Sequence, residues 1–129
     1  MSQSIHQEVH IKASPQRVYD ALLSSAQFST WSGGAAATIV DEPGGSFSCF
    51  GGMITGRNVE LKMGSRIVQA WRAGNWAEGV YSIARFDLES DGSGTKITFN
   101  QTGFPEEMRP HLEAGWRKMY WEPLGAHLA

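Results

Sequence analysis

Few residues of this sequence have the types and spacing that metal binding would require. His6 and His10 are four residues apart, a spacing that would bring two imidazoles together on a helix. The alternating polar and apolar residues around them instead predict a β-strand, on which the two would stand about 13 Å apart at about 3.3 Å per residue. Zn–N bonds are only about 2 Å long. No metal site is therefore predicted, and both histidines are expected on a solvated strand face.

Nucleophilic and cofactor-dependent chemistry also lacks a recognisable pattern. The single cysteine, Cys49, has no CxxC partner and no neighbouring histidine, so a buried structural thiol is the better interpretation. The glycine pairs match neither the GxxxxGK[ST] phosphate loop nor the GxGxxG dinucleotide motif, and no pair of carboxylates stands out. The sequence therefore predicts no catalytic residue and no cofactor.

Aromatic side chains are the most informative set, because five Trp, three Tyr and six Phe occur in 129 residues. Those of the predicted sheet and of the C-terminal segment either form a core or line a largely apolar pocket. This set comprises Trp71, Trp76, Tyr81, Phe86, Phe99, Trp116, Tyr120 and Trp121. The residues expected to line such a pocket, if one exists, are Trp31, Trp71, Tyr81, Phe99, Trp116 and Tyr120.

Arg85 is the candidate for binding an acidic group of a ligand. It lies on the same face of a predicted strand as Ile83 and Asp87. If that face is concave, the guanidinium anchors the ligand. If the face is exposed, Arg85 instead belongs to a surface ion pair across the sheet.

The elements that must position these residues begin with a strand and two helices. Residues 4–12 alternate with Ile5 and Ile11 on one face, which is the pattern of a half-buried strand. Ser14 is a good N-cap and Pro15 suits the first helical position, so a helix is expected over 14–24. A second short helix is expected over 25–31.

The middle of the chain has a period of two, interrupted by closely spaced turn signals such as Glu42-Pro43-Gly44-Gly45 and Ser90-Asp91-Gly92. Short runs between such turns are typical of an antiparallel meander. The predicted strands lie at 35–41, 46–50, 53–62, 65–73, 79–89 and 94–102. With the first strand, these give a bent antiparallel sheet of about seven strands in an α+β fold, in the order β-α-α-β6-α.

A long C-terminal helix is expected to close over this sheet. It should begin near Pro110, after a separate leading turn at 105–109, and extend to residue 127. Its apolar stripe consists of Met108, Leu112, Trp116, Met119 and Pro123. Pro123 has no N–H for the carbonyl four residues earlier, so a kink is expected in the last turn. Gly115 costs about 1 kcal/mol relative to alanine inside a helix, which predicts a close approach of the sheet to its backbone.

Length, charge and composition limit the classes of function. A chain of 129 residues is expected to form one domain, 1–129. Its 11 basic and 13 acidic residues give a net charge of −2, without the basic excess that nucleic acid or an anionic membrane surface would attract. The first residues show no signal-peptide hydrophobic region, no apolar run is long enough to insert into a membrane, and a lone cysteine suits a reducing compartment. A cytoplasmic location is therefore expected.

The N-terminal third of the chain resembles the opening of the START-like, helix-grip superfamily, also called SRPBCC. The matching features are Ala13-Ser14-Pro15, Tyr19, and Phe28 with Trp31. Within that superfamily, the chain is most similar to the C-terminal domain of the activator of heat-shock protein 90 ATPase. The similarity to that domain rests on four further pieces: Gly44 to Phe47, Gly52 to Gly56, Ile67 to Gly79 and Gly115 to Tyr120.

The resemblance implies a bent antiparallel sheet around a C-terminal helix and a cavity between them. The resemblance says less about function than about fold. In the eukaryotic activator a separate N-terminal domain makes the main chaperone contacts, and no counterpart of that domain is expected here. The Trp-Pro-Glu-Gly of the family is also altered to Trp76-Ala77-Glu78-Gly79.

Three functions are therefore considered. The first is a module that binds an apolar or amphipathic small molecule in a hydrophobic cavity between the sheet and the C-terminal helix. The second is a co-chaperone-like protein that binds a heat-shock protein 90 homologue and modulates its ATPase. The third is a cyclase or hydrolase of the superfamily kind, for which no catalytic constellation is predicted.

Overall fold

A computed structural model describes residues 4–129 of the chain, which form a seven-stranded antiparallel sheet with the order β1-β7-β6-β5-β4-β3-β2. The strands are β1 (Ser4–Ile11), β2 (Thr38–Ile39), β3 (Ser46–Cys49), β4 (Ile54–Lys62), β5 (Arg66–Ala73), β6 (Ser82–Asp91) and β7 (Gly94–Thr102). The predicted α+β helix-grip layout is confirmed. No helix within residues 4–129 is long and apolar enough to cross a membrane.

The two short helices begin where side-chain caps are available. Helix α1 (Pro15–Leu23) starts after Ser14, whose hydroxyl accepts a hydrogen bond from the Arg17 backbone N–H. Helix α2 (Ser25–Trp31) starts after Ser24, which caps it in the same way through Gln27. Each cap satisfies a backbone donor that the first turn would otherwise leave unpaired, and both helices lie where the sequence predicted them.

Two strands depart by three residues or more from a predicted bound, and in both cases a side chain hydrogen-bonds to the adjoining backbone. Strand β2 covers two residues rather than 35–41, and the carbonyl of Val40 accepts a hydrogen bond from the Asn58 side-chain amide at 2.9 Å. Strand β6 begins at Ser82 rather than at 79. The carbonyl of Val80 accepts from the Arg72 guanidinium at 3.2 Å, which holds the preceding residues in a turn.

The closing helix (Arg109–Leu128) lies where it was predicted but is not regular. It consists of α3 (Arg109–Gly115), a wide π-helical turn (Trp116–Trp121) and α4 (Glu122–Leu128), and a 3₁₀ turn at Glu106–Met108 precedes it. The N–H of Glu122 bonds to the Arg117 carbonyl five residues earlier. Because Pro123 has no N–H to continue the ordinary pattern, the wide turn lies directly before it.

The wide turn overturns part of the predicted apolar stripe. Met119 is 51% exposed, and the side chains that face the sheet after Trp116 are Tyr120, Trp121, Leu124 and Leu128. An α-helix advances about 100° per residue, so a stripe with a step of three after Trp116 would fit a regular helix. The wide turn instead moves the inward-facing positions one residue later.

Gly115 does not have the role that the sequence predicted. A Cβ atom built at this position would meet no heavy atom within 4 Å outside its own helix. The expected close approach of the sheet to this glycine is therefore wrong.

Candidate functional site

Five of the seven residues predicted to line a cavity meet in one aromatic cluster between the sheet and the closing helix. They are Trp31, Trp71, Phe99, Trp116 and Tyr120. Each is at most 5% exposed. Trp116 is central, with its ring centroid 4.2 Å from Phe99, 4.2 Å from Tyr120 and 5.1 Å from Trp71. Tilted contacts at these distances are favourable for aromatic pairs.

A chain of buried hydrogen bonds fixes the orientation of these rings. The Trp116 Nε1–H donates to Gln101 Oε1 at 2.8 Å, and Gln101 Nε2 donates to Ser82 Oγ at 2.9 Å. Ser82 Oγ donates in turn to the Trp71 carbonyl at 2.8 Å. Gln101 is fully buried, so β7, β6, β5 and the closing helix are joined by polar groups that have no access to water.

The remaining polar atoms of the cluster are also paired. The Trp71 Nε1–H donates to the Tyr120 hydroxyl at 3.3 Å, and the Trp31 Nε1–H donates to the Ala21 carbonyl at 2.9 Å. Burial raises the pKa of Tyr120 far above its usual range, which keeps the phenol neutral. It is thus a hydrogen-bonding core residue rather than an acid–base group at neutral pH.

The interior contains only a small void. About 10 Å³ remains beside Tyr120, Phe28, Cys49 and Phe86. That volume is at the lower limit for one water molecule and far below the roughly 300 Å³ of the smallest ligand pockets. In this conformation the aromatic cluster fills the space that a ligand would occupy.

The two other predicted site residues lie on the outer face of the sheet, which corrects the expectation that they line the interior. Tyr81 is 50% exposed, and the Arg72 guanidinium lies 5.8 Å from its ring centroid. The inward side chains of β6 are those of Ser82, Ala84, Phe86 and Leu88.

Arg85 on this outer face forms a surface ion pair. Its Nε lies 2.7 Å from one oxygen of Asp87, whose other oxygen lies 2.8 Å from Arg66 Nε on β5. Partial burial raises the pKa of Asp87, but the hydrogen bonds from Arg85 and Arg66 outweigh it and lower the pKa overall. This is the second of the two interpretations of Arg85, a surface ion pair across the sheet.

Cys49 and the histidines have structural surroundings. Cys49 is 2% exposed, and burial raises the pKa of its thiol to about 12. His6 hydrogen-bonds to Asn100 and His10 to the Asp91 carbonyl. Residues 4–129 contain no cluster of three or more His, Cys, Asp or Glu side chains that could hold a metal ion.

Sequence reasoning missed a groove at the end of the sheet where the closing helix begins. It has a volume of about 320 Å³ and lies between the β5–β6 connection and the segment that joins β7 to the closing helix. Its walls are formed by Asn75, Trp76, Ala77, Val80, Gly103, Phe104, Pro105, Glu107 and Met108. Trp76 and Phe104 were visible as aromatic residues, but no pattern in the sequence places two segments so distant in the chain side by side.

A known protein family matches nearly the whole chain. The family model described as "Activator of Hsp90 ATPase homolog 1-like protein" matches residues 12–129. This range includes β2 to β7, all four α-helices and the whole aromatic cluster described above.

Curated proteins with the same description are similar in sequence. The "Activator of 90 kDa heat shock protein ATPase homolog" of Dictyostelium discoideum is 35% identical over 108 residues, which cover 83% of this chain and 28% of that protein. The corresponding homolog 2 of Mus musculus is 28% identical over 88 residues, which cover 68% of this chain and 27% of that protein. The chain therefore spans less than a third of the length of these two relatives.

The fold is shared with solved structures. A crystal structure of an HSP90 activator from Plasmodium falciparum superposes with a TM-score of 0.81 at 24% identity, covering 93% of this chain and 90% of that one. At 24% identity this superposition shows a shared fold and nothing more. Membership in the family rests on the family model that matches residues 12–129.

Proposed function

Because the chain belongs to the family of Activator of Hsp90 ATPase homolog 1-like proteins, we propose that it binds a heat-shock protein 90 homologue and changes the rate of its ATPase. The observation that carries this proposal is the family match over residues 12–129. The names of the curated relatives support it, although the matching region is only part of each of them.

The filled interior favours a function exerted through the surface. The void of about 10 Å³ beside the aromatic cluster is too small for a ligand, and the rings around it are held by buried hydrogen bonds. A packed core of this kind gives the sheet and helix a rigid outer surface. Rigid surfaces are suited to protein recognition, because little conformational freedom is lost on association.

One part of the surface has the character expected of a protein contact. Tyr81 and Ile83 are 50% and 45% exposed on the outer face of the sheet, and Arg72 lies against the Tyr81 ring. Tyr and Arg are enriched among the residues that dominate binding energy at interfaces. We therefore expect Tyr81 and Ile83 to contribute to the contact with the chaperone.

The experiment is a measurement of chaperone ATPase rate as this protein is titrated into the heat-shock protein 90 homologue of the same organism. Binding is measured in parallel by calorimetry, so that a silent complex is distinguished from no complex. A saturable change in the ATPase rate is expected. An unchanged rate together with no detectable binding would remove the proposal.

Surface variants refine this test. Tyr81→Ala should weaken binding by about fivefold or more if the tyrosine lies at the contact. Met63→Ala is the matched control, because Met63 is 80% exposed in the turn between β4 and β5. Equal binding by wild type and both variants would place the contact elsewhere on the surface.

A second function, binding of an apolar or amphipathic small molecule in the interior, is favoured by one local feature. Phe50 adopts a left-handed backbone conformation with φ of 54°, which is strained for a bulky residue. Its ring packs against Phe28 and Tyr120, and both of these residues line the small internal void. If Phe50 moves to relax this strain, the faces of Phe28 and Tyr120 that it now covers become available to a ligand.

This second function is tested by a thermal-shift screen of lipids, sterols and aromatic metabolites with wild type and Phe50→Gly. A ligand should raise the melting temperature of both proteins, and the glycine variant should bind it more tightly because loss of the Phe50 ring leaves room beside Phe28 and Tyr120. No shift with either protein would exclude an interior ligand among the compounds screened.

A further inference from the structure

We propose that the groove between the β5–β6 connection and the start of the closing helix is a binding site for a small organic amine. The ligand would have an apolar body, a positively charged nitrogen and a hydrogen-bond-accepting oxygen. The groove borders the aromatic cluster, since the Trp76 and Trp71 ring centroids are 5.7 Å apart, but its lining contains neither a residue of that cluster nor Tyr81. The inference therefore goes beyond the proposed chaperone interaction.

The groove has the size and the lining of a ligand site. Its volume of about 320 Å³ falls at the lower end of the range for small-molecule pockets. Trp76 and Phe104 are 6% and 7% exposed, and with Val80 and Met108 they provide apolar walls. Such walls accept an aromatic ring or a short aliphatic chain.

Both walls are held in place before any ligand arrives. On one side, the Arg72 guanidinium donates to the carbonyl oxygens of Trp76 at 2.8 Å and Ala77 at 3.2 Å. On the other side, the Arg109 guanidinium packs over the Phe104 ring, 5.4 Å from its centroid. The groove is therefore pre-organised, which reduces the entropy that binding costs.

Trp76 provides an unused hydrogen-bond donor in this wall. Its Nε1–H has no acceptor among residues 4–129, although the side chain is almost completely buried. Most buried polar groups are paired, and an unpaired one costs free energy. A small tilt of the ring toward an oxygen atom of a ligand would supply the missing acceptor.

Glu107 gives the groove its charge preference. It is the only charged residue in the lining, it is exposed, and its carboxylate makes no ion pair with any residue of the described part of the chain. The neighbouring Glu106 is instead paired with Arg109 at 3.7 Å. The groove thus combines an apolar floor with an exposed carboxylate at Glu107, and its lining carries no positive charge, which suits an amine rather than an acid. Tilting of the Trp76 ring would add its indole N–H as a donor to the ligand.

Tyramine is the probe for this test, since it combines a compact ring, a phenolic oxygen and an ammonium group at neutral pH. The ¹⁵N-labelled protein is titrated while backbone and indole N–H resonances are followed by NMR. Saturable shifts are expected for the Trp76 indole and for residues 103–108, with a Kd on the order of millimolar for a ligand of this size. Trp76→Phe identifies the indole resonance by its loss.

Three comparisons make the test specific. The acid 3-(4-hydroxyphenyl)propionate has the same ring with the opposite charge and should not bind measurably. Glu107→Gln should weaken tyramine binding by about threefold to fivefold, as expected for loss of one exposed ion pair. Glu106→Gln removes the same charge one residue away, outside the groove lining, and should bind tyramine like wild type.

The proposal is overturned by any of three outcomes: no saturable shifts, equal binding of the amine and the acid, or equal affinity of wild type and Glu107→Gln. Shifts confined to the indoles of Trp71 and Trp116 would also overturn it, because the ligand would then lie in the interior. If the chaperone, but not tyramine, perturbs residues 103–108, the groove is a protein contact and the amine site is rejected. Failure of the ATPase experiment does not affect these results.

Discussion

At the scale of single residues, the aromatic cluster is specified by its polar atoms as much as by its rings. The Trp116 Nε1–H donates to Gln101 Oε1 at 2.8 Å, which ties the orientation of the indole ring to strand β7. Gln101 in turn reaches Ser82 at 2.9 Å. A buried polar chain of this kind is costly if one member is removed, because the remaining groups lose their partners.

Trp116→Ala tests whether the tryptophan belongs to the core or lines a cavity. Because Trp116 is 2% exposed and contacts Phe99 and Tyr120, its removal should lower the free energy of unfolding by about 3–5 kcal/mol. Urea denaturation gives this value directly.

Trp116→Phe is the matched control, since it keeps an aromatic ring and should cost less than the alanine variant. A loss well below 3 kcal/mol for Trp116→Ala would contradict a packed core. It would instead favour a cavity that solvent or a ligand can fill.

At the scale of elements, glycines of the sheet and of the closing helix have opposite roles. Gly56 in β4 is a packing requirement: a Cβ there would overlap the Ala70 carbonyl of β5 and lie 2.7 Å from the Phe47 ring. Gly115 has open space around the corresponding position. The same substitution should therefore change stability in different directions at the two sites.

Gly115→Ala should be neutral or stabilise the protein by up to about 1 kcal/mol, the difference in helix propensity. Gly56→Ala should destabilise it by about 2 kcal/mol, because the sheet backbone must shift. Thermal unfolding of the two variants beside wild type makes the comparison. A clear loss of stability in Gly115→Ala would mean that the adjoining wide turn depends on this glycine.

The sequence predicted these elements well where local chemistry sets them. Ser14 and Pro15 marked the first helix, and glycine-rich turns separated the strands of the meander. It did not predict the wide turn, because Met119 and Tyr120 are both reasonable inward residues and only the hydrogen-bond pattern before Pro123 decides between them. The groove could not be predicted from the sequence either, because the sheet brings Trp76 and Phe104 together and their spacing along the chain does not.

The two faces of β6 illustrate a different kind of difficulty. Alternation correctly grouped Ile83, Arg85 and Asp87 on one face, but a period of two does not say which face is inward. The neighbours Phe86 and Leu88 are the more apolar set, and their burial in the core decides the orientation. Five of the predicted site residues meet in the interior, and whether that cluster binds a ligand stays a prediction.

At the scale of the whole molecule, tight packing limits access to the groups of the interior. Cys49 is 2% exposed behind the aromatic cluster, and its neighbourhood contains only a small void. A buried thiol in this position reacts only when the packing around it opens.

Cys49 should therefore react slowly with an aromatic disulfide reagent in the native protein at pH 8 and rapidly in denaturant. Burial raises its pKa from 9.0 to about 12, so the reactive thiolate is scarce in the folded state. Burial of the neutral thiol contributes to the stability of the folded protein below pH 9, and this contribution is lost as pH rises toward 12 because the unfolded chain ionises first. Fast labelling of the native protein at pH 8 would contradict a closed interior.

The wide turn in the closing helix should allow one residue to be deleted there without loss of the fold. Buried residues recur at intervals of four along the closing helix, with Trp121 buried in addition beside Tyr120: they are Leu112, Trp116, Tyr120, Leu124 and Leu128. A regular α-helix overshoots by about 40° in each such interval. Deletion of the exposed Lys118 turns this series into ordinary spacings of four, three, four and four, so a standard helix can present the same side chains to the sheet. A Lys118 deletion should keep native near-UV circular dichroism, whereas deletion of Glu113, outside the wide turn, should rotate the core face away and abolish it.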